Sequence, residues 1–171
     1  NLAQVLRRLK KTTDATLIFG EGTETLSLSN DLETDAATLK VLAFAGDKRL
    51  LNFTGGLLTK HDYDDCPEFA DWLYTERERL QAQRKNALSN FIQQSEKVGD
   101  YQDSLRCAEL LLQLDPISEE AHRQVMRQHF LAGDRDAALK AFERCKEILY
   151  KELGAEPTTE THTLAAEIEF G

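Results

Sequence analysis

With 41% hydrophobic and 30% charged residues, the 171-residue chain is apolar enough to bury a core and too apolar for a disordered segment. Its net charge of −9 is uneven: residues 1–30 hold four Lys/Arg against three Asp/Glu, so residues 31–171 carry −10. A body of that sign repels phosphate, which restricts any nucleic-acid contact to the short basic start, and no apolar run approaches the roughly 20 residues of a membrane helix.

The first residue is Asn, inside an apparent helix, so the chain reads as a piece of a longer protein. Arg7, Arg8, Lys10 and Lys11 precede no apolar stretch, so no secretory signal is expected. The three cysteines, Cys66, Cys107 and Cys145, form no Cys-x-x-Cys and no even framework. Cys107 and Cys145 fall on apolar helix sides as small core residues, consistent with a reducing cytoplasm.

Residues 2–11 have the pattern of an amphipathic helix. Leu2, Val5, Leu6 and Leu9 make one stripe, and Gln4, Arg7, Arg8 and Lys11 repeat the spacing on the opposite face. The period then changes. Thr16 to Phe19 is apolar and β-branched, Gly20-Glu21-Gly22 supplies a turn, and Thr23 to Ser29 alternates, which predicts a β-hairpin.

Only helices are expected from Asp35 onward. Asp35 caps a short one through Ala45, broken by Gly46-Asp47, and Leu50 to Leu58 is irregular around Gly55-Gly56. Asp65-Cys66-Pro67-Glu68 reads as a capping box with an early proline, opening a helix of about 30 residues. Its apolar side carries Phe69, Trp72, Leu73, Leu80, Ala87, Leu88, Phe91, Ile92 and Val98, and Gly99 stops it. Asp100 caps the next helix, to Leu114, and Asp115-Pro116 breaks it. Ser118 caps another through Leu131, and Gly133-Asp134 opens one that ends before Gly154. A last helix, capped by Thr158, runs to about Glu169. About seven helices with connections of two to six residues predict antiparallel packing.

The sequence also echoes itself. Gly99-Asp100-Tyr101-Gln102-Asp103-Ser104-Leu105 returns 34 residues later as Gly133-Asp134-Arg135-Asp136-Ala137-Ala138-Leu139. That period belongs to tetratricopeptide helical hairpins, which stack because one hairpin cannot bury its apolar face alone. In this register Ala138 and Phe142 are expected to be buried between helices.

No residue set supports catalysis, and no enzyme activity is expected. His61-Asp62-Tyr63-Asp64-Asp65-Cys66 matches neither zinc nor EF-hand spacing and reads as a polar loop ending in a helix cap. His122 and His129 stand beside packing positions. Gly20-x-Gly22 lacks the setting of a nucleotide site, and no hydrolase, zincin or Walker sequence occurs. No metal and no cofactor are expected.

Asp115-Pro116, Glu120-Ala121-His122, Met126, Gly133, Ala138-Leu139, Phe142, Leu149 and the closing Leu153-Gly154-Ala155-Glu156-Pro157 together resemble the bacterial transcriptional activator domain. This is the helical domain of regulators of the Streptomyces antibiotic regulatory protein type. Trp72 ahead of Glu76-Arg77 and Leu80 agrees with it. In that family an OmpR-like winged helix precedes the helical domain and ends in a recognition helix and a hairpin wing, to which residues 2–11 and 16–29 are similar. The resemblance implies a mainly α fold, a tetratricopeptide-like antiparallel helical array preceded by a helix and β-hairpin remnant of a winged helix. It divides the chain into 1–30, the end of the DNA-binding domain, and 31–171, the activator domain.

A basic face alone reads as the solvated side of a surface helix. The resemblance makes Gln4, Arg7, Arg8 and Lys11 candidates for DNA contact, since Gln pairs adenine, Arg pairs guanine and Lys meets phosphate. The wing tip departs from the pattern, with Glu21 and Glu24 and no Lys or Arg. The expected partners are DNA, through the complete parent, and a protein or second copy, through the helical domain, with no membrane. The alternative is a tetratricopeptide adaptor that binds a protein without touching DNA.

Overall fold

The computed structural model describes residues 8, 11, 18–21, 25–29, 34–45, 47–52, 56–59, 63 and 65–171. Contacts divide the chain into two units, Asn1–Thr38 and Leu39–Gly171. The described part is mainly α.

In the first unit, β1 (Ile18–Glu21) and β2 (Thr25–Leu28) form an antiparallel pair with Ile18 opposite Leu28 and Glu21 opposite Thr25. The expected turn at Gly20-Glu21-Gly22 is therefore not formed by its first two residues. Gly20 and Glu21 are strand residues, and Gly22 lies outside the described residues.

Helix α1 (Asp35–Ala45) ends where expected, but it begins and is capped one residue earlier. The Thr34 hydroxyl accepts the Ala37 N–H at 3.1 Å, so Asp35 is the first helical residue. A single 3₁₀ turn, Lys48–Asn52, occupies part of the segment expected to be irregular and buries Leu50. The Asp47 carboxylate accepts the Arg49 N–H at 2.8 Å and opens that turn. Lys48 reaches across to the start of the third helix, meeting Asp100 at 3.1 Å and also Asp103.

The long helix α2 (Pro67–Val98) starts at proline, but the capping box does not form. Cys66 is the cap residue and its side chain bonds no backbone N–H. Pro67 contributes no N–H to satisfy, which lowers the need for a side-chain cap. Gly99 ends α2 at φ 75°, a left-handed conformation open to glycine at little cost. The helices α3 (Tyr101–Leu114), α4 (Glu119–Leu131), α5 (Arg135–Leu153) and α6 (Thr159–Phe170) follow, and each packs on the one before it.

The 34-residue echo is structural. Gly99 and Gly133 are both left-handed, at φ 75° and 83°. Asp100 and Asp134 both cap by accepting the N–H three residues on, at 3.3 and 2.9 Å. The correspondence reaches back into the preceding helices. Ala87, Leu88, Phe91 and Ile92 of α2 align with Ala121, His122, Val125 and Met126 of α4, and all eight are buried. One core joins Leu39, Leu50, Leu88, Ile92, Cys107 and Val125 with their neighbours. A second, of Met126, Ala138, Ala165 and Ile168, holds α4, α5 and α6 together.

The α6 end is fastened by a residue that local sequence reading treats only as a helix-dipole partner. The Glu119 carboxylate accepts from the Thr158 N–H (2.7 Å), the Thr158 hydroxyl (2.8 Å) and the Thr161 hydroxyl (2.7 Å). Arg123 adds a bond to Thr161 at 3.0 Å. Burial pushes the Glu119 carboxyl up, but the bonds from Thr161 and Thr158 and the Arg123 charge outweigh it and hold the group below its ordinary value of 4.5. Its stabilisation is therefore present above pH 4.5 and lost as pH falls through the lowered folded value. Glu119→Ala is expected to cost about 1–3 kcal/mol, since it strips partners from buried Thr161. The loss should show as faster amide exchange over residues 159–170, and unchanged exchange there would refute the fastening role.

Candidate DNA-reading helix and partner surfaces

Of the four residues singled out for DNA contact, Arg8 and Lys11 are helical and exposed. Three positions apart, they share one helix face. Gln4 and Arg7 lie outside the described residues, as do Leu2, Val5, Leu6 and Leu9.

The second unit has two grooves. In the first, α3 and α5 both pack on α4 and leave an open groove of about 680 Å³ between them. Its floor is His122 and Val125, with Gln113 on one wall and Lys140 and Arg144 on the other. His122 is 1% exposed and replaces the apolar Leu88 of the preceding repeat. Its Nε2 lies 3.0 Å from the Pro116 carbonyl, which only accepts, so Nε2 carries the proton and donates. Burial pushes the ring below its ordinary 6.5, the Pro116 bond raises it, Arg144 lowers it and Glu119 raises it. The ring is thus more acidic folded than unfolded. Its contribution to stability is full above pH 6.5 and is lost as pH falls from 6.5 to the lowered folded value. His122→Leu should flatten the fall in stability just below pH 6.5. A wild-type slope retained in that variant would assign the titration elsewhere.

The second groove, of about 810 Å³, lies between α5 and α6 at the end of the array. Phe142 and His162 meet there edge to face, with centroids 5.3 Å apart, and the Lys146 ammonium is 5.5 Å from the Phe142 centroid. Ala138 is fully buried, as the repeat register requires, but Phe142 is only half-buried. Phe142 packs by one side against the cluster of Met126, Ala138, Ala165 and Ile168, and its ring meets His162 of α6.

Residues 50–169 match the family model of the bacterial transcriptional activator domain. The chain belongs to that family. No curated protein matches it. The match covers the whole array from the 3₁₀ turn to α6 and places the chain among bacterial transcription regulators.

In this activator domain an aromatic row runs from Tyr63 onto the start of α2, half-buried at Tyr63 and Phe69 and exposed at Trp72. Tyr63 meets Phe69 edge to face at 5.0 Å and Phe69 stacks on Trp72 at 5.4 Å. Trp72, expected on the apolar side, is 51% exposed, and Val98 is 79% exposed. Helical periodicity names a face, but burial requires an opposing element. Arg77 of α2 donates to the carbonyls of Leu57 (2.8 Å) and Leu58 (2.7 Å), and Leu58 has φ 51°. Of the polar loop ahead of α2, His61, Asp62 and Asp64 lie outside the described residues, while Asp65 and Cys66 are exposed. Among the described residues no three His, Cys, Asp or Glu side chains gather as a metal site. Cys107 and Cys145 are buried and unpaired. Burial, reinforced by Asp103, pushes the Cys107 thiol up to about 12, and burial pushes Cys145 to about 11, so both remain protonated core groups. Among the described residues no helix is long and apolar enough to cross a membrane.

Proposed function

We propose that the chain is a piece of a cytoplasmic, DNA-binding bacterial regulator. In this reading, residues 2–11 of the complete parent lie in the major groove and the helical array contacts a protein partner or a second copy. The domain binds and does no chemistry of its own. The observation that carries the reading is the activator-domain match over residues 50–169, preceded in the chain by helical, exposed Arg8 and Lys11 and then by a hairpin. That order suits a recognition helix and wing. The acidic body leaves phosphate contact to this basic start.

Arg7 and Arg8 are assigned most of the affinity, since guanidinium serves a base edge or a phosphate. Gln4, nearer the helix start, is assigned to base reading. Arg8→Ala in the parent should weaken operator binding by about 1–3 kcal/mol with relaxed specificity if it reads a base. A phosphate role would weaken all sequences alike and reduce the salt slope by about one unit. A folded parent with all four residues changed to alanine and unaltered operator affinity would sink the DNA-reading assignment. The adaptor reading, a helical scaffold gripping a protein without DNA, would then stand in its place.

A further inference from the structure

The groove over α4 departs from the repeat in two places at once, on its floor and on one wall. At the 34-residue offset, His122 stands where the preceding repeat has Leu88, and Arg144 where it has Leu110. Leu88 belongs to the main core and Leu110 packs against that core. Apolar side chains therefore serve the scaffold at both positions. An imidazole and a guanidinium put polar groups where packing asks for none, a local conflict of the kind that marks functional sites.

The His122 ring is 1% exposed and lines the groove floor. Its Nε2 is committed to the Pro116 carbonyl, and its Nδ1 has no hydrogen-bond partner among the described residues. Buried polar atoms are paired as a rule, so a bare lone pair beside an open groove is a place for a donor. The charged and titratable groups that line the groove with it are Glu109 of α3, His129 of α4, and Lys140 and Arg144 of α5. Burial and the Arg144 charge lower the ring's titration, outweighing the Pro116 bond and Glu119, which raise it. Above pH 6.5 the ring is neutral and Nδ1 accepts. Lys140 and Arg144 lie about one turn apart on α5 and are exposed. Neither forms an ion pair among the described residues, although acidic residues outnumber basic ones 30 to 21. Apolar Leu112, Val125 and Ala141 complete the lining, and the volume of about 680 Å³ is that of a small-molecule site.

We infer that this groove binds a small organic carboxylate with an apolar body and one hydroxyl or N–H donor. The carboxylate pairs with Arg144 and Lys140, the apolar body lies on Leu112, Val125 and Ala141, and the donor bonds Nδ1 of His122. Glu109 on the opposite wall, and the −10 carried by residues 31–171, disfavour a second negative charge, so a single carboxylate suits the groove better than a phosphate. The site is bounded by three consecutive helices of the second unit. The inference goes beyond the proposed function and stands apart from both its DNA-reading and its protein-contact assignments.

The test titrates the 171-residue chain with 4-hydroxyphenylacetate at about pH 7.5, where His122 is neutral, and follows the amides by two-dimensional NMR. Saturable shifts centred on Val125, Ala141 and Arg144 are expected, with a dissociation constant of about 1 mM or below. Phenylacetate, which lacks the donor, and 4-hydroxyphenylethanol, which lacks the charge, should each bind at least about fivefold more weakly. Lys140→Gln with Arg144→Gln, both exposed, should weaken binding at least about tenfold and leave the thermal midpoint in place. Lys97→Gln with Lys151→Gln, an equal charge change outside the groove, should leave affinity within about twofold. His122→Leu should bind 4-hydroxyphenylacetate and phenylacetate alike, a loss of preference that a packing role alone would not produce. No saturable shift by about 10 mM, shifts centred elsewhere, or equal affinity for all three compounds in the unaltered chain overturns the proposal. So does unchanged affinity in the Lys140 and Arg144 variant, which stays decisive even if His122→Leu fails to fold. None of these outcomes bears on operator binding by the parent.

Discussion

Leu88→Ala is expected to destabilise the helical unit by about 2–5 kcal/mol. Leu88 has no exposed surface and sits in the core that α1, the 3₁₀ turn, α2, α3 and α4 build together. Truncation removes its transfer free energy and leaves a cavity. The surroundings cannot close over it easily, because several neighbours in that core are already small: Ala87, Cys107, Ala108 and Ala121. The loss should appear in urea unfolding as a lower midpoint with an unchanged slope. Val98→Ala, on the same helix but exposed, should stay within about 0.5 kcal/mol. Two equal, small effects would mean that the α2 register is wrong.

Ala138→Leu is expected to cost about 1–3 kcal/mol, from overpacking. Ala138 has no exposed surface, packs with Met126, Ala165 and Ile168, and aligns with the fully buried Ser104 of the preceding repeat. A small residue at both places marks the point where the hairpin's two helices come closest. Three added carbons have no void to enter and must push α5 off α4, disturbing α6 as well. Ala138→Ser, which copies the preceding repeat, should cost less than about 1.5 kcal/mol. If Ala138→Leu unfolded at the wild-type midpoint, the close approach would be absent and the register of the second hairpin mistaken.

Helix ends were readable to the extent that their chemistry is local. Ser118, Asp100 and Asp134 each accept the N–H three residues on, as their positions require, and Gly99 and Gly154 are left-handed stops. Asp35 and Asp65 failed as caps because the residues beside them compete for the same role. Thr34 takes the first, and Pro67 at the start of α2 leaves the second with no side-chain cap. Trp72 and Phe142 misled for a different reason. Both lie on apolar stripes, and a stripe says which face is ready to pack without saying whether anything packs there. Glu119 was legible only as a favourable charge in a first turn. Its three bonds to Thr158 and Thr161 join residues some 40 positions apart and carry no local signature.

By itself the sequence determined the helical class, the boundaries of α2 to α6 to within a residue or two, the 34-residue period and the family. The first three rest on short-range physics, namely periodicity, capping, glycine conformation and repetition, and the family rests on the resemblance of the residues from Asp115 to Pro157. Only the tertiary structure decided which copy of a repeated position is covered. His122 and His162 each stand four residues after the cap of their helix, yet one is buried in a groove walled by α5 and the other is exposed, because burial depends on what packs opposite and not on position along the helix.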